Sequence, residues 1–271
     1  MQRLGRHPSG CRYEFPVLRG VFEMREILKR MSAVFAVLIL WQMAAFFVKS
    51  SILLCGPLDV LKRLCTIWKE PYFAAAIFFT LRRVAEGFFL GLLLGAILAF
   101  LAGKWSPVRI FLWPLMAAVK AVPVAAIVVI CLIWLSGRNL SVFLSFLVVC
   151  PVVYQNLLTG IDSLDPGMEE VAVVFCMTPV RRFRFIRLPQ LFPYFTAACK
   201  VTSGMAWKAG IAAEIIATPA GSIGKQMYLA KTYLQSEDLL SWAVIIVALS
   251  MISEKLLMGI LRKASERLGG G

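Results

Sequence analysis

Three charged side chains stand inside otherwise apolar stretches, Lys120, Lys208 and Glu214, while Glu169, Glu170, Arg181, Arg182, Arg184 and Arg187 crowd into one polar island. An ionisable group at membrane depth costs about 2.5–3.5 kcal/mol at a helix centre, so it faces protein or a wet cavity. There it either lines a route for a solute or pairs for structure. Trp207 and Glu214, seven residues apart, share a helix face. Lys120 and Lys208 would attract an oxyanion, whereas Lys208 and Glu214 near helix ends would snorkel or pair. Other chemistry is excluded by residue type. His7 is the single histidine, which rules out a histidine metal centre or catalytic triad. No GxSxG and no aspartate pair lies within an apolar span. Gly224-Lys225 looks superficially like a phosphate loop, but the required earlier glycine is Pro219 and Gln226 stands where serine or threonine is needed. The chain is therefore expected to bind no cofactor and to hydrolyse no ATP on its own.

The island opens with Asp165-Pro166, a helix N-cap followed by proline at the first helical position. Glu169 and Glu170 then lie near the positive end of the helix. Val171, Val174, Phe175 and Thr178 follow at i, i+3, i+4, i+7, a one-sided stripe. Pro179 is expected to stop this helix after about 12 residues, roughly 18 Å. Such a helix would lie on the membrane surface and fit a groove in a partner. The plainer alternative is a basic loop that only fixes topology.

Composition sets the frame for these residues. With 60% hydrophobic and 16% charged residues and a mean hydropathy of +0.79, the chain is far from the soluble average and reads as a polytopic all-α membrane protein. Its net charge of +14 falls in short runs beside apolar spans, which is the membrane-orientation pattern rather than a nucleic-acid face. Six spans are expected, at about 32–54, 81–103, 109–135, 140–160, 197–217 and 240–261. Basic residues at their ends place both termini in the cytoplasm. The loop around 56–80, with Lys62, Arg63 and Lys69 offset in part by Asp59 and Glu70, fits least well. Gly87, Gly91, Gly95, Ala99 and Gly103 recur every fourth residue, a ridge on which a second helix can approach closely. Arg82 and Glu86 are one turn apart and should pair. Pro114 and Pro123 should kink or interrupt the third span. The seven cysteines read as small buried hydrophobes, with pairing of Cys55 and Cys65 left open.

The domains expected are a tail at 1–31 outside the fold, disordered or preceding an alternative start at Met24, a membrane domain at 32–263 and a C-terminal tail at 264–271. Leu53-Leu54-Cys55-Gly56 hints at a lipoprotein cleavage site, but Leu54 is not the small residue needed, so the first span is taken as uncleaved.

Glu170, Ala172 two residues on, and Leu188-Pro189 at the end of the island resemble the EAA loop of permease subunits of binding-protein-dependent ABC importers. One departure is Cys176, where the family usually has glycine. Because Cys176 carries a Cβ, the turn is expected not to require a positive φ. The resemblance extends over about residues 50–263. Gly56-Pro57, Thr80-Leu81-Arg82, Trp113-Pro114, Ala206-Trp207-Lys208 and Gly221-Ser222-Ile223-Gly224 look like the nitrate, sulfonate and taurine branch. It implies an ABC type I importer permease fold with a cytoplasmic loop at about 161–196. Glu170, Ala172, Phe175, Cys176 and Thr178 would couple that loop to an ATPase, with Ala172 the small residue of the docking face. Lys120, Trp207, Lys208 and Glu214 would be candidates for the pathway. The partners implied are ABC ATPase subunits holding ATP and magnesium, an extracytoplasmic binding protein, a second permease copy and membrane lipid. An ion-gradient-driven secondary transporter is the alternative, but it predicts inverted repeats that are not apparent and leaves the island unexplained.

Overall fold

The computed structural model describes residues 16–48 and 55–267. Parts of the expected tails and first span (1–15, 49–54 and 268–271) lie outside the described residues, as does Leu53-Leu54 of the lipoprotein-like stretch. Two compact units are present, 1–59 and 60–271. The first contains α1 (Pro16–Val48). This helix starts well inside the stretch expected to be a tail. At about 1.5 Å per residue its 33 residues exceed the bilayer core. In the same unit Gln42 accepts a hydrogen bond from the Leu58 amide at 3.4 Å.

The second unit is built on α3 (Phe73–Lys104), α6 (Gly137–Asp162) and α9 (Leu188–Ala217). Helix α6 packs along both α3 and α9, and α9 is further flanked by α10 (Ile223–Thr232) and α11 (Ser236–Arg267). The glycine ridge is what brings α3 onto α6. A Cβ added at Gly87 would lie 2.3 Å from the Val142 carbonyl oxygen, at Gly91 2.7 Å from Val149 Cβ, and at Gly95 2.7 Å from the Cys150 carbonyl oxygen. Small residues are needed because lipid supplies no hydrophobic drive between helices, so van der Waals contact has to hold them.

Helix α4 (Ser106–Ala121) continues through Pro114 without a break, whereas Val122-Pro123 separates it from α5 (Val124–Cys131) at 98°. Arg109 at the start of α4 forms a two-pronged pair with Asp162 at the end of α6, at 2.9 and 2.7 Å. Among the described residues, four helices are long and apolar enough to cross a membrane, or five if α4 and α5 count as one span. The fifth expected span, 197–217, falls on α9. That helix has the length but carries Lys200, Lys208 and Glu214. Of these, Glu214 is enclosed by neighbouring helices, whereas Lys200 and Lys208 are exposed in this chain.

Arg63, on α2 (Pro57–Ile67), is not an unbalanced charge in the loop that fitted the topology least well. It donates to Glu70 at 3.0 Å and pairs with Asp238 at the start of α11. Cys65 on the same helix is an exposed thiol.

Candidate functional site

The polar island forms α7 (Pro166–Val174), α8 (Pro179–Arg182) and a π-helical turn (Phe183–Arg187) that runs directly into α9. The expected N-terminus is present: Asp165 Oδ1 accepts from the Gly167 amide at 2.9 Å, with Pro166 in the first turn. Gln190 of α9 also accepts from the Asp165 amide at 2.9 Å, which ties the cap to α9.

The other end differs from expectation. Helix α7 has 9 residues, not about 12. The Met177 amide donates to Ala172 O and the Cys176 amide to Val173 O, both at 2.9 Å. This is the paired closure of a Schellman cap, and Cys176 occupies its left-handed position with φ +47°. The expectation that this turn needs no positive φ is thus corrected. The conformation is the one glycine favours, and cysteine adopts it against the Cβ penalty. Thr178 lies outside the stripe too, preceding Pro179 at the start of α8.

Ala172 is only 2% exposed. It faces the chain's own interior where α7 meets the π-helical turn, whose buried residue is Ile186. Its small size serves packing within the loop, which corrects its expected place on an outward docking face. The outward side carries Glu170, Val171, Val174 and Phe175, with Val174 78% and Phe175 75% exposed, and Val173, one turn after Glu169, is exposed as well. Val180 and Phe185, with Arg181 and Arg184, are exposed as well on α8 and the π-helical turn.

Sequence reasoning missed the part played by Glu169. Arg187 donates to it through Nε at 2.7 Å and Nη2 at 3.1 Å, and Arg182 pairs with its second oxygen. The only hint in the sequence is the coincidence of several arginines with two glutamates; the register that joins them is not visible there.

The charged residues of the spans separate into two groups. Lys120, in the last turn of α4 beside the break, and Lys208 on α9 are exposed. Trp207 is 3% exposed, and its indole N–H donates to Ser253 of α11 at 2.8 Å. Glu214 is fully buried. Its Oε2 accepts from the Thr80 hydroxyl at 2.8 Å and the Gly224 amide at 3.2 Å, while Thr80 Oγ1 accepts from the Ile223 amide at 3.0 Å. Of the two roles open to Glu214 from sequence, this geometry is that of an internal cap joining α3, α9 and the start of α10. Ser222 Oγ accepts from the Lys225 amide at 3.0 Å. The amides that a phosphate loop would offer at Gly224-Lys225 are thus engaged within the protein.

The family described as binding-protein-dependent transport system inner membrane component matches residues 91–268. A probable ABC transporter permease protein of Brucella melitensis is 28% identical over 221 residues, covering 80% of this chain and 88% of that one. The taurine transport system permease protein of Escherichia coli is 24% identical over 229 residues, covering 82% and 83%. The bicarbonate transport system permease protein of Synechococcus elongatus is 23% identical over 268 residues, covering 94% and 93%. Among solved structures, the crystal structure of an amino acid ABC transporter with histidines is similar at 18% identity, with a TM-score of 0.56 over 75% of this chain and 97% of that chain.

Proposed function

The chain belongs to the inner membrane components of binding-protein-dependent transport systems, and from that premise we propose that its 161–196 loop is the cytoplasmic surface on which a separate ATPase docks. The chain is a multi-pass membrane permease subunit of an ABC importer with the type I permease fold. The observation that carries the docking reading is the two-sidedness of α7. One side is fixed to its own chain through Ala172 and Glu169, and the other leaves Val171, Val174 and Phe175 uncovered. An amphipathic helix of this kind lays its apolar anchors into a groove of a partner. Glu170 and Cys176 border that face, and Thr178 starts the next helix.

ATP and magnesium belong to the ATPase, and the permease contributes the route. The working unit contains two permease copies in lipid, with two ATPase subunits inside, an extracytoplasmic binding protein outside and both termini of the permease in the cytoplasm. The substrate is a small anion or organic solute of the nitrate, sulfonate and taurine class, a reading supported by relatives named for taurine and bicarbonate. Lys120 and Lys208, exposed and cationic, are the side chains best placed to attract such an anion along the pathway. Trp207 and Glu214 hold the helices that frame it.

The docking reading is tested with Val174→Asp and Phe175→Asp, which place charge on the uncovered face without touching the buried side. Co-purification of the ATPase should fall sharply, and uptake in reconstituted vesicles with it. Undiminished ATPase retention in both variants would remove the assignment. The substrate is identified separately, by thermal-shift screening of the partner binding protein.

A further inference from the structure

Helix α8, the π-helical turn and α9 form one continuous helical rod from Pro179 to Ala217, with α7 lying beside its foot. Along an ordinary α-helix, residues five apart point about 140° away from one another at 3.6 residues per turn. Arg182 and Arg187 are five apart, so α-helical geometry would send their guanidinium groups to different sides. The π register changes this. The Leu188 amide bonds to the Phe183 carbonyl, an i to i+5 closure that widens the turn and brings residues five apart nearly into line. Both arginines thereby converge on Glu169, whose side chain is 17% exposed. The Arg187 contact is the bidentate, charge-assisted kind that fixes orientation as well as distance.

Beside this junction the protein is not tightly filled. A hollow of about 450 Å³, lined by Phe100, Lys104, Ile161, Phe183, Arg187 and Leu191, lies between the ends of α3 and α6 and the foot of α9. Besides the arginine contacts, the Gln190 bond to the Asp165 amide ties the start of α7 to α9, and Ala172 and Ile186 are buried where α7 meets the π-helical turn. A force applied to α7 reaches the rod through the clasp, whose Arg187 also lines this hollow.

We infer that Glu169 is a positioning residue for coupling: gripped by Arg182 and Arg187 across the π-helical turn, it makes α7 and α9 move as one lever. The inference rests on the reading of α7 as the ATPase-docking helix. It assigns Glu169 a separate task, which is transmitting the motion of the docked ATPase, not retaining it. Rare π-helical turns concentrate at functional positions, and here the turn's consequence is the convergence of two cations on one carboxylate.

The test uses the assembled importer with Glu169→Gln, Arg187→Gln and the double variant, measuring ATPase co-purification and solute taken up per ATP hydrolysed. Each single variant should retain the ATPase while uptake per ATP falls by about tenfold, as expected when a charge-assisted contact no longer selects one of two arrangements. The double variant should be no worse than the more severe single one, because both remove the same contact. Should Glu169→Gln fail to accumulate, Arg187→Lys carries the test, since it keeps the charge but loses the two-pronged geometry. Unchanged uptake per ATP in the single variants, additive losses in the double variant, or loss of the ATPase itself would each overturn the inference. Failure of the docking reading is distinguishable, because it appears as undiminished ATPase retention in Val174→Asp and Phe175→Asp.

Discussion

Replacing Gly87 with alanine adds one methyl group at the closest approach of α3 and α6. Its Cβ would sit 2.3 Å from the Val142 carbonyl oxygen and 2.7 Å from Ser145 Cβ, where ordinary contact begins at 3.4 Å. The obstruction is backbone, so no side chain can swing aside, and the helices must part by about 1 Å. A gap of that size forfeits a quarter to a half of each neighbouring contact, and the ridge continues through Gly91 and Gly95. Overpacking alone costs about 1–3 kcal/mol, and the lost contacts raise the expected destabilisation to about 2–4 kcal/mol. Gly103→Ala should cost less, because it meets the side chain of Ile161. At Gly204 an added Cβ meets nothing within 4 Å in this chain, and the helical preference for alanine should leave stability unchanged or raised by up to about 1 kcal/mol. The assay is the thermal unfolding midpoint of the purified permease in detergent. Equal midpoints for Gly87→Ala and wild type, or equal losses in Gly87→Ala and Gly204→Ala, would refute the close-approach argument.

Cys176→Gly should stabilise the protein by about 0.5–1 kcal/mol. Relief of the left-handed Cβ penalty outweighs glycine's extra backbone entropy at this position, and a lowered unfolding midpoint would contradict that balance. Glu214→Ala should cost about 2–4 kcal/mol by stripping buried donors at Gly224 and Thr80 of their acceptor, whereas Glu214→Gln, which keeps an amide oxygen, should cost about 1 kcal/mol. Thermal midpoints read alongside uptake decide the matter. If Glu214→Gln were fully stable yet lost transport, the carboxylate would belong to the pathway instead.

The spacing of Gly87, Gly91 and Gly95 announces a close helix contact, because small residues every fourth position have one effective use in lipid. It cannot say that the partner is α6, which begins more than thirty residues further on. The start of α7 was legible because Asp165-Pro166 is a local signal, satisfied within two residues. Its end was not. A Schellman cap is announced by glycine, and cysteine in that place conceals the positive φ. Ala172 looked like part of a docking face because smallness suits a partner's groove and an internal contact equally well. The clasp at Glu169 depends on a π register that no residue type marks, and the internal cap at Glu214 depends on Thr80, 134 residues away. Such pairings belong to tertiary structure, and local pattern does not show which residues they join.

The corner between α4 and α5 bears on where water must be. Pro123 has no amide hydrogen, and the 98° turn ends one hydrogen-bond ladder before the next begins. The Ala126 and Ile127 amides return to the Pro123 carbonyl at 3.0 and 3.3 Å, but the last carbonyls of α4 and the first two amides of α5 fall outside either ladder, and within hydrocarbon they would need other partners. With Lys120 and Val122 both exposed beside the break, lipid is the one surrounding this corner cannot tolerate. Wherever such a corner lies within the bilayer it has to look onto hydrated space or another subunit, so the bend would mark the flank of the permease turned away from lipid.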